Sequence, residues 1–238
     1  MDDAENTIVE YQMSITIFSG KPGSGKSLKL ADTIVGLLAR NEGWRKKTGL
    51  IRPVLTNIKV SEYVKSLYPG FIQEWTEPEM LVRETQVDII WDEIATHLDS
   101  TQWANVPLDL KRFLQQHRKR GIDIYGTTQA FGMIDISMRR LVDGLYVCSK
   151  IFGSRNPSPT KPEVKNIWGL IWLTELDPLT AEEEKPKRIG WDWLLINRRL
   201  VEVYDTLQEI PVGKFPPLRH IERHCVNPDC EYHRVIHA

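Results

Sequence analysis

This chain has little of several things that would define its class at once. Its three cysteines, Cys148, Cys225 and Cys230, are an odd number. No secretory leader opens the sequence, which argues against a disulfide scaffold and fits a reducing cytosol. The longest strongly apolar stretch without a charge, Ile167 to Leu173, falls far below the ~20 residues of a spanning helix. The polypeptide is therefore expected not to cross a membrane by itself. An excess of one charge is also missing: 31 Lys and Arg stand against 32 Asp and Glu, for a net charge of −1. No global field pulls such a chain onto DNA or a membrane, so any nucleic-acid contact must come from local basic patches. There is no internal repeat. The composition is ordinary for a globular protein, and 238 residues can bury a full core. One α/β domain with a small appendage is expected.

What is present is a complete phosphate-binding loop. Residues 20 to 27 read Gly-Lys-Pro-Gly-Ser-Gly-Lys-Ser, with Gly20, Gly25, Lys26 and Ser27 at the required spacing. A β-rich run (Ile15, Thr16, Ile17, Phe18) precedes the loop, and a helical pattern (Leu28, Leu30, Ala31, Ile34, Val35, Leu37, Leu38) follows it. Glycines let the backbone N–H groups converge on phosphate oxygens, and the helix that starts there adds its positive dipole end. Gly20, Lys21, Pro22, Gly23, Ser24, Gly25, Lys26, Ser27 and Leu28 are the expected nucleotide cradle. Lys26 is placed for the β- and γ-phosphates of ATP and Ser27 for Mg²⁺.

Further along, strand and helix patterns alternate. Residues 1–12 are polar and acidic, a loose arm. Residues 41–52 read as a basic loop with a tryptophan, Pro53 to Ile58 as a strand and Ser61 to Leu67 as a short helix. Glu77 to Glu84 carries a helical pattern with Thr76 as cap and Pro78 early. Val87 to Trp91 is a buried strand, and Pro107 to Arg120 a helix stopped by Gly121. A strand over Ile122 to Gly126, a helix over Ile134 to Val142 and a strand over Leu145 to Ser149 follow. Such alternation implies a mostly parallel sheet flanked by helices, an α/β fold. Residues 154–165 read as a surface loop. Ile167 to Thr174 and Ile189 to Ile196 read as strands of a hairpin around the charged run Glu182 to Arg188. The ATPase domain is expected over 13–206, with a tail over 207–238.

The strand Val87 to Trp91 runs into Asp92 and Glu93. Adjacent acids at the tip of a buried strand are costly unless a cation compensates them. Asp92 suits Mg²⁺, and Glu93 suits the deprotonation of an attacking water. Asp88 is less specific and reads as an ordinary strand-edge acid. Gln129, in Thr127-Thr128-Gln129, follows the next strand, where ligand crevices form, and its amide can donate to phosphate and accept from water. Lys111, Arg112, His117, Arg118, Lys119 and Arg120 gather on one predicted helix, and Arg139 and Arg140 on another. Arg118 and Arg139 are the candidates for an arginine that acts in a neighbouring subunit's site; DNA phosphate contact or a solvated helix face are the alternatives. In the tail, His224, Cys225, Cys230 and His233, with His220 and His237 nearby, resemble half of a zinc ribbon around an Asn-Pro-Asp turn. A flexible tail that happens to contain histidines is the alternative.

The order of these motifs resembles the zonular occludens toxin family, which includes the gene I assembly proteins of filamentous phages and is related to FtsK–HerA-type DNA-pumping ATPases. The discriminating stretch is His117-Arg118-Lys119-Arg120-Gly121-Ile122-Asp123-Ile124-Tyr125 ahead of Thr127-Thr128-Gln129, joined by Ile134-Asp135 and Met138-Arg139. The resemblance covers about residues 14–150, with Tyr204-Asp205-Thr206 as a further match. It implies an additional-strand P-loop ATPase active in virion assembly, genome packaging or export, with Lys26 and Ser27 on nucleotide and metal, Asp92 on metal and Glu93 as base. It also implies a homo-oligomeric ring of six subunits acting on DNA, with capsid or membrane assembly proteins as partners, in the cytoplasm of an infected host cell, at its inner membrane or on the virion. Filamentous-phage members usually carry a membrane-spanning helix and an outer domain after the ATPase domain; neither is expected in this sequence, so a role in secretion at the membrane would need a separate anchoring partner, and nothing in the sequence looks secreted. Two rival functions share the loop: a nucleotide-dependent assembly scaffold without motor activity, and a small-molecule kinase.

Overall fold

The computed structural model describes residues 13–153 and 169–196, together with Leu200 and Val203. The expected N-terminal arm (1–12), the loop at 154–165 and the tail over 207–238 lie outside the described residues.

Strand β1 (Ile15–Ser19) buries Ile15 and Ile17 completely and leads through the glycine loop into helix α1 (Lys26–Thr48). Helix α1 corrects the expected basic loop over 41–52. Its last two turns lack an apolar stripe, so periodicity does not reveal them. They are held by Glu42 pairing with Arg45 at 2.8 Å and by Gly49, whose left-handed φ of 75° lets its N–H close on the Arg45 carbonyl. Arg45, Lys46 and Lys47 complement the negative end of the helix dipole.

Strand β2 (Val54–Thr56) and helix α2 (Glu62–Leu67) follow, with Ser61 capping α2 by accepting from the Val64 N–H. The sequence did not reveal strand β3 (Ile72–Glu74), which is only three residues long and half-buried. Pro78–Leu81 forms a single 3-10 turn instead of the helix expected to Glu84. Glu77, not Thr76, is its cap, and the chain then turns through Gln86, at a φ of 56°, into strand β4 (Asp88–Trp91). Helix α3 is shorter than expected (Leu108–Gln115). The Gln116 and His117 N–H groups bond carbonyls three residues back, which tightens the chain into the Gly121 turn ahead of strand β5 (Asp123–Thr128). Helix α4 shrinks to Ile136–Arg139 behind its Asp135 cap. Strand β6 (Gly144–Gly153) then runs alongside the hairpin of β7 (Gly169–Leu176) and β8 (Arg188–Ile196), which was expected.

The strands form one sheet in the order β3-β2-β4-β5-β1-β6-β7-β8. The first six strands in this order are parallel, while β7 and β8 are antiparallel. Strand β5 is inserted between β1 and β4, so it separates the loop strand from the acidic strand. One core packs α1 against Ile90, Ile171 and Leu173; the other packs Phe113, Leu114, Ile134 and Met138 against Ile17, Ile89 and Trp91.

The N-terminal ends of the strands are tied by a buried ionic network, which corrects the reading of Asp88 as an ordinary edge acid. Asp88 is fully buried and accepts from Arg40 (2.7 Å), Arg52 (2.9 Å) and Asn41 (2.7 Å). Arg52 also donates to Asp123 (3.0 Å) and to the Gly121 (2.9 Å) and Val87 (3.1 Å) carbonyls. Burial raises the Asp123 carboxyl above its ordinary range. Burial, together with the Asp123 charge, also pushes the nearby Tyr125 phenol up to about 12. Paired in this way, the charges fix strand register at the end opposite the glycine loop.

Candidate nucleotide-binding site

The loop between β1 and α1 has the shape its sequence predicts. Gly25 stands at a φ of 97° as the cap of α1, and a Cβ there would lie 2.2 Å from Ile171 Cδ1 on β7. At Gly20 a Cβ would meet the Cys148 carbonyl oxygen at 2.7 Å. Neighbouring strands therefore close on the loop so tightly that only glycine fits. The first N–H groups of α1 have no partner within the helix and point into the loop. Lys26 is buried, and its ammonium donates to the Gly20 carbonyl at 2.8 Å and the Lys21 carbonyl at 3.3 Å. Ser24 Oγ is also buried inside the loop and has no hydrogen-bond partner among the described residues. A buried orphan hydroxyl, a buried ammonium and free helix N–H groups fit a polyphosphate. The Cys148 thiol behind the loop is pushed up to about 12 by burial, so it is an inert packing group.

The acidic pair lies at the tip of β4, opposite this loop. Ser27 Oγ stands 3.4 Å from Asp92 Oδ2, a pair of hard oxygen donors that fits Mg²⁺. The fully buried Thr127 at the end of β5 completes the tip. Its hydroxyl donates to Asp92 Oδ1 and accepts from the Glu93 N–H at 2.8 Å. Asn57, just past β2, holds the other side: its amide oxygen accepts from the Asp92 N–H at 2.7 Å and its NH₂ donates to the Asp92 carbonyl at 3.0 Å. Held from both sides, Glu93 adopts φ 54° and ψ 48°, a left-handed conformation rare for a residue with a side chain. Glu93 is exposed, next in the chain to the Asp92 that reaches Ser27.

The structure brings Gly20 to Leu28, Asp92 and Glu93 together. Gln129 lies one residue beyond β5 and is exposed; Thr127, two residues earlier, is the one that bonds the acidic pair. Thr127 and Asn57 are the site residues that sequence reasoning missed. Arg118 is exposed and pairs with Asp143 at the N-terminal end of the sheet, the length of β5 away from the chain's own loop. Arg139 is largely buried, packed 5.9 Å from the Phe131 ring and paired with Glu182. The expected zinc ligands Cys225, Cys230, His224 and His233 lie outside the described residues. Among the described residues no three His, Cys, Asp or Glu side chains gather to hold a metal, and no helix is long and apolar enough to cross a membrane.

A glycine loop between the first strand and first helix, an acidic strand tip and a strand inserted between them define a P-loop NTPase fold of the additional-strand type. Neither a family model nor a curated protein matches the chain. Similar solved structures include the N-terminal domain of zonular occludens toxin from Neisseria meningitidis, at 20% identity over 81% of this chain and 99% of that one, with a TM-score of 0.49. The genome packaging NTPase B204 from Sulfolobus turreted icosahedral virus 2, in complex with ATP-gammaS, matches at 13% identity over 75% and 97%, with a TM-score of 0.47. The flagellar accessory protein FlaH from Methanocaldococcus jannaschii matches at 13% over 68% and 76%, with a TM-score of 0.41. The zonular occludens toxin family, which the sequence motifs resemble, is represented among these neighbours.

Proposed function

We propose that this chain is an ATPase whose hydrolysis of ATP drives DNA movement in virus assembly, genome packaging or export. The observation that carries the ATPase reading is the Thr127 hydroxyl, bonded at once to the Asp92 carboxylate and the Glu93 backbone. That arrangement holds a metal-binding acid and a solvent-facing acid side by side opposite the loop. Residues Gly20 to Leu28 bind the triphosphate through backbone N–H groups. Ser27 and Asp92 would hold Mg²⁺, which would supply neutralisation of the triphosphate charge. Glu93 takes the proton of the water whose oxygen attacks the γ-phosphorus. The bond from the γ-phosphorus to the bridging oxygen breaks, and Lys26 neutralises the charge that gathers on the departing ADP. Gln129 is the outer residue of the same strand end and contacts the γ-phosphate or the water.

The assembly role rests on the sequence stretch His117 to Tyr125 and the motifs around it. In this reading the chain works as a homo-oligomeric ring of six on DNA, with a capsid or membrane assembly protein as partner, inside the infected cell. Arg118, exposed and far from its own loop, is then the better placed of the two arginines to reach a neighbour's site. The test is steady-state phosphate release with and without single- and double-stranded DNA. Stimulation by DNA is the expected result. DNA-independent turnover argues against a motor, bound nucleotide without turnover favours the scaffold, and release only with an added small-molecule acceptor favours a kinase.

A further inference from the structure

The far edge of the sheet carries a surface that the ATPase reading leaves unused. In the β7–β8 hairpin Leu170 faces Leu195, Trp172 faces Trp193 and Thr174 faces Trp191. Strand alternation puts these side chains and Ile189 on one side of the hairpin. The opposite side carries Ile171, Leu173, Leu194 and Ile196, all buried in the core with α1. On the outer side Ile189 is 58% exposed, Trp191 65%, Trp193 50% and Leu195 56%. Trp191 stacks on Trp172 with ring centroids 4.9 Å apart and planes 11° from parallel. These four exposed side chains of β8 leave on the order of 500 Å² of apolar surface bare. That is near the top of what a monomer shows and over half of the about 800 Å² that each partner contributes to a standard interface. Strand β8 is also last in the sheet order, so the face continues into a strand edge.

Two features select the occupant. Leu170, Trp172, Thr174, Ile189, Trp191, Trp193 and Leu195 include no charged side chain. A nucleic-acid backbone would find no cation among them, Arg188 lying at the end of the row opposite Leu176 beyond the register shift, whereas the aromatic content matches the centre of a protein interface. An uncharged apolar face ending in a strand edge is complementary to itself: it meets its own copy about a two-fold axis without like-charge repulsion. We propose that the outer face of the β7–β8 hairpin docks a second copy of this chain. In a ring, the same contact joins a subunit of one ring to a subunit of another.

The experiment is sedimentation velocity of the full chain over about 1 to 100 µM, for wild type and for Trp191→Glu combined with Trp193→Glu. Circular dichroism and binding of a fluorescent ATP analogue report folding. Ile189→Lys, at the other end of the strand, gives a second reading if the double variant fails to fold. The expected result is self-association weakened at least tenfold by either change. Equal association of wild type and both variants overturns the proposal, as does a wild type that stays monomeric throughout. Binding of wild type, but not of the variants, to phosphatidylcholine vesicles with unchanged mass assigns the face to a lipid surface and also overturns it. Intact association in a wild type that binds no nucleotide sinks the ATPase reading alone.

Discussion

Replacing Thr127 with valine removes one hydroxyl and keeps the shape of the side chain. In the structure that hydroxyl is fully buried, donates to Asp92 and accepts from the Glu93 N–H at 2.8 Å. A hydrogen bond to a charged group contributes about 1.5–3 kcal/mol, and a buried N–H left unpaired costs about 1–3 kcal/mol. The two bonds share one atom and Asn57 still holds Asp92, so a combined loss of about 2–4 kcal/mol in the placement of the acidic pair is expected. At about 1.4 kcal/mol per tenfold, kcat should fall roughly 30- to 1000-fold. The loop and Lys26 are untouched, so nucleotide affinity should change little. Thr127→Ser, which restores the hydroxyl, should recover most of the rate. The assay is phosphate release at saturating ATP, with equilibrium binding of a fluorescent analogue and a thermal melt alongside. Thr127→Val turning over at the wild-type rate would refute the reasoning.

Gly25→Ala places a Cβ 2.2 Å from Ile171 Cδ1 at a φ of 97°, so nucleotide binding should be lost and stability should fall by about 2–4 kcal/mol in denaturant unfolding. Asp88→Ala removes a buried carboxylate shared by Arg40 and Arg52, leaving Arg52 with Asp123, and should cost about 3–5 kcal/mol; a loss under about 1 kcal/mol would show that the network is not a keystone of the sheet. Burial holds the His117 imidazole below its ordinary pKa of 6.5, so its neutral form is favoured in the fold. Its contribution to stability is present above that value and is lost as the pH falls through the lower folded value, so the acid-side drop in Tm should be shallower in His117→Phe.

How much of this was legible in the sequence depended on whether chemistry or geometry carried each feature. The glycine loop and Asp92-Glu93 were legible because phosphate and metal demand those residue types at fixed spacing. The β7–β8 hairpin showed through its apolar runs and the charged turn between them. The last turns of α1 were hidden because Trp44 is the one large apolar residue from Asn41 to Thr48, leaving no stripe to read. Strand β3 was hidden by its three-residue length. The amide of Gln129 suits phosphate and water, but no residue type marks Thr127 as the partner of the acidic pair. Only the register of β5 against β4, with Trp91 beside Gly126, reveals that the next residue, Thr127, reaches Asp92 while Gln129 passes the strand end. Asp88 looked like an ordinary strand-edge acid because its partners Arg40 and Arg52 come from a distant part of the chain.

The central claim is that Glu93, exposed next to Asp92 at the tip of β4, is the base of an ATP hydrolysis site. It is tested most directly by measuring phosphate release and nucleotide affinity together for wild type and Glu93→Gln. Turnover by wild type, with unchanged binding and lost turnover in the variant, is the predicted result. Equal hydrolysis by both proteins, or no nucleotide bound by wild type, would contradict it.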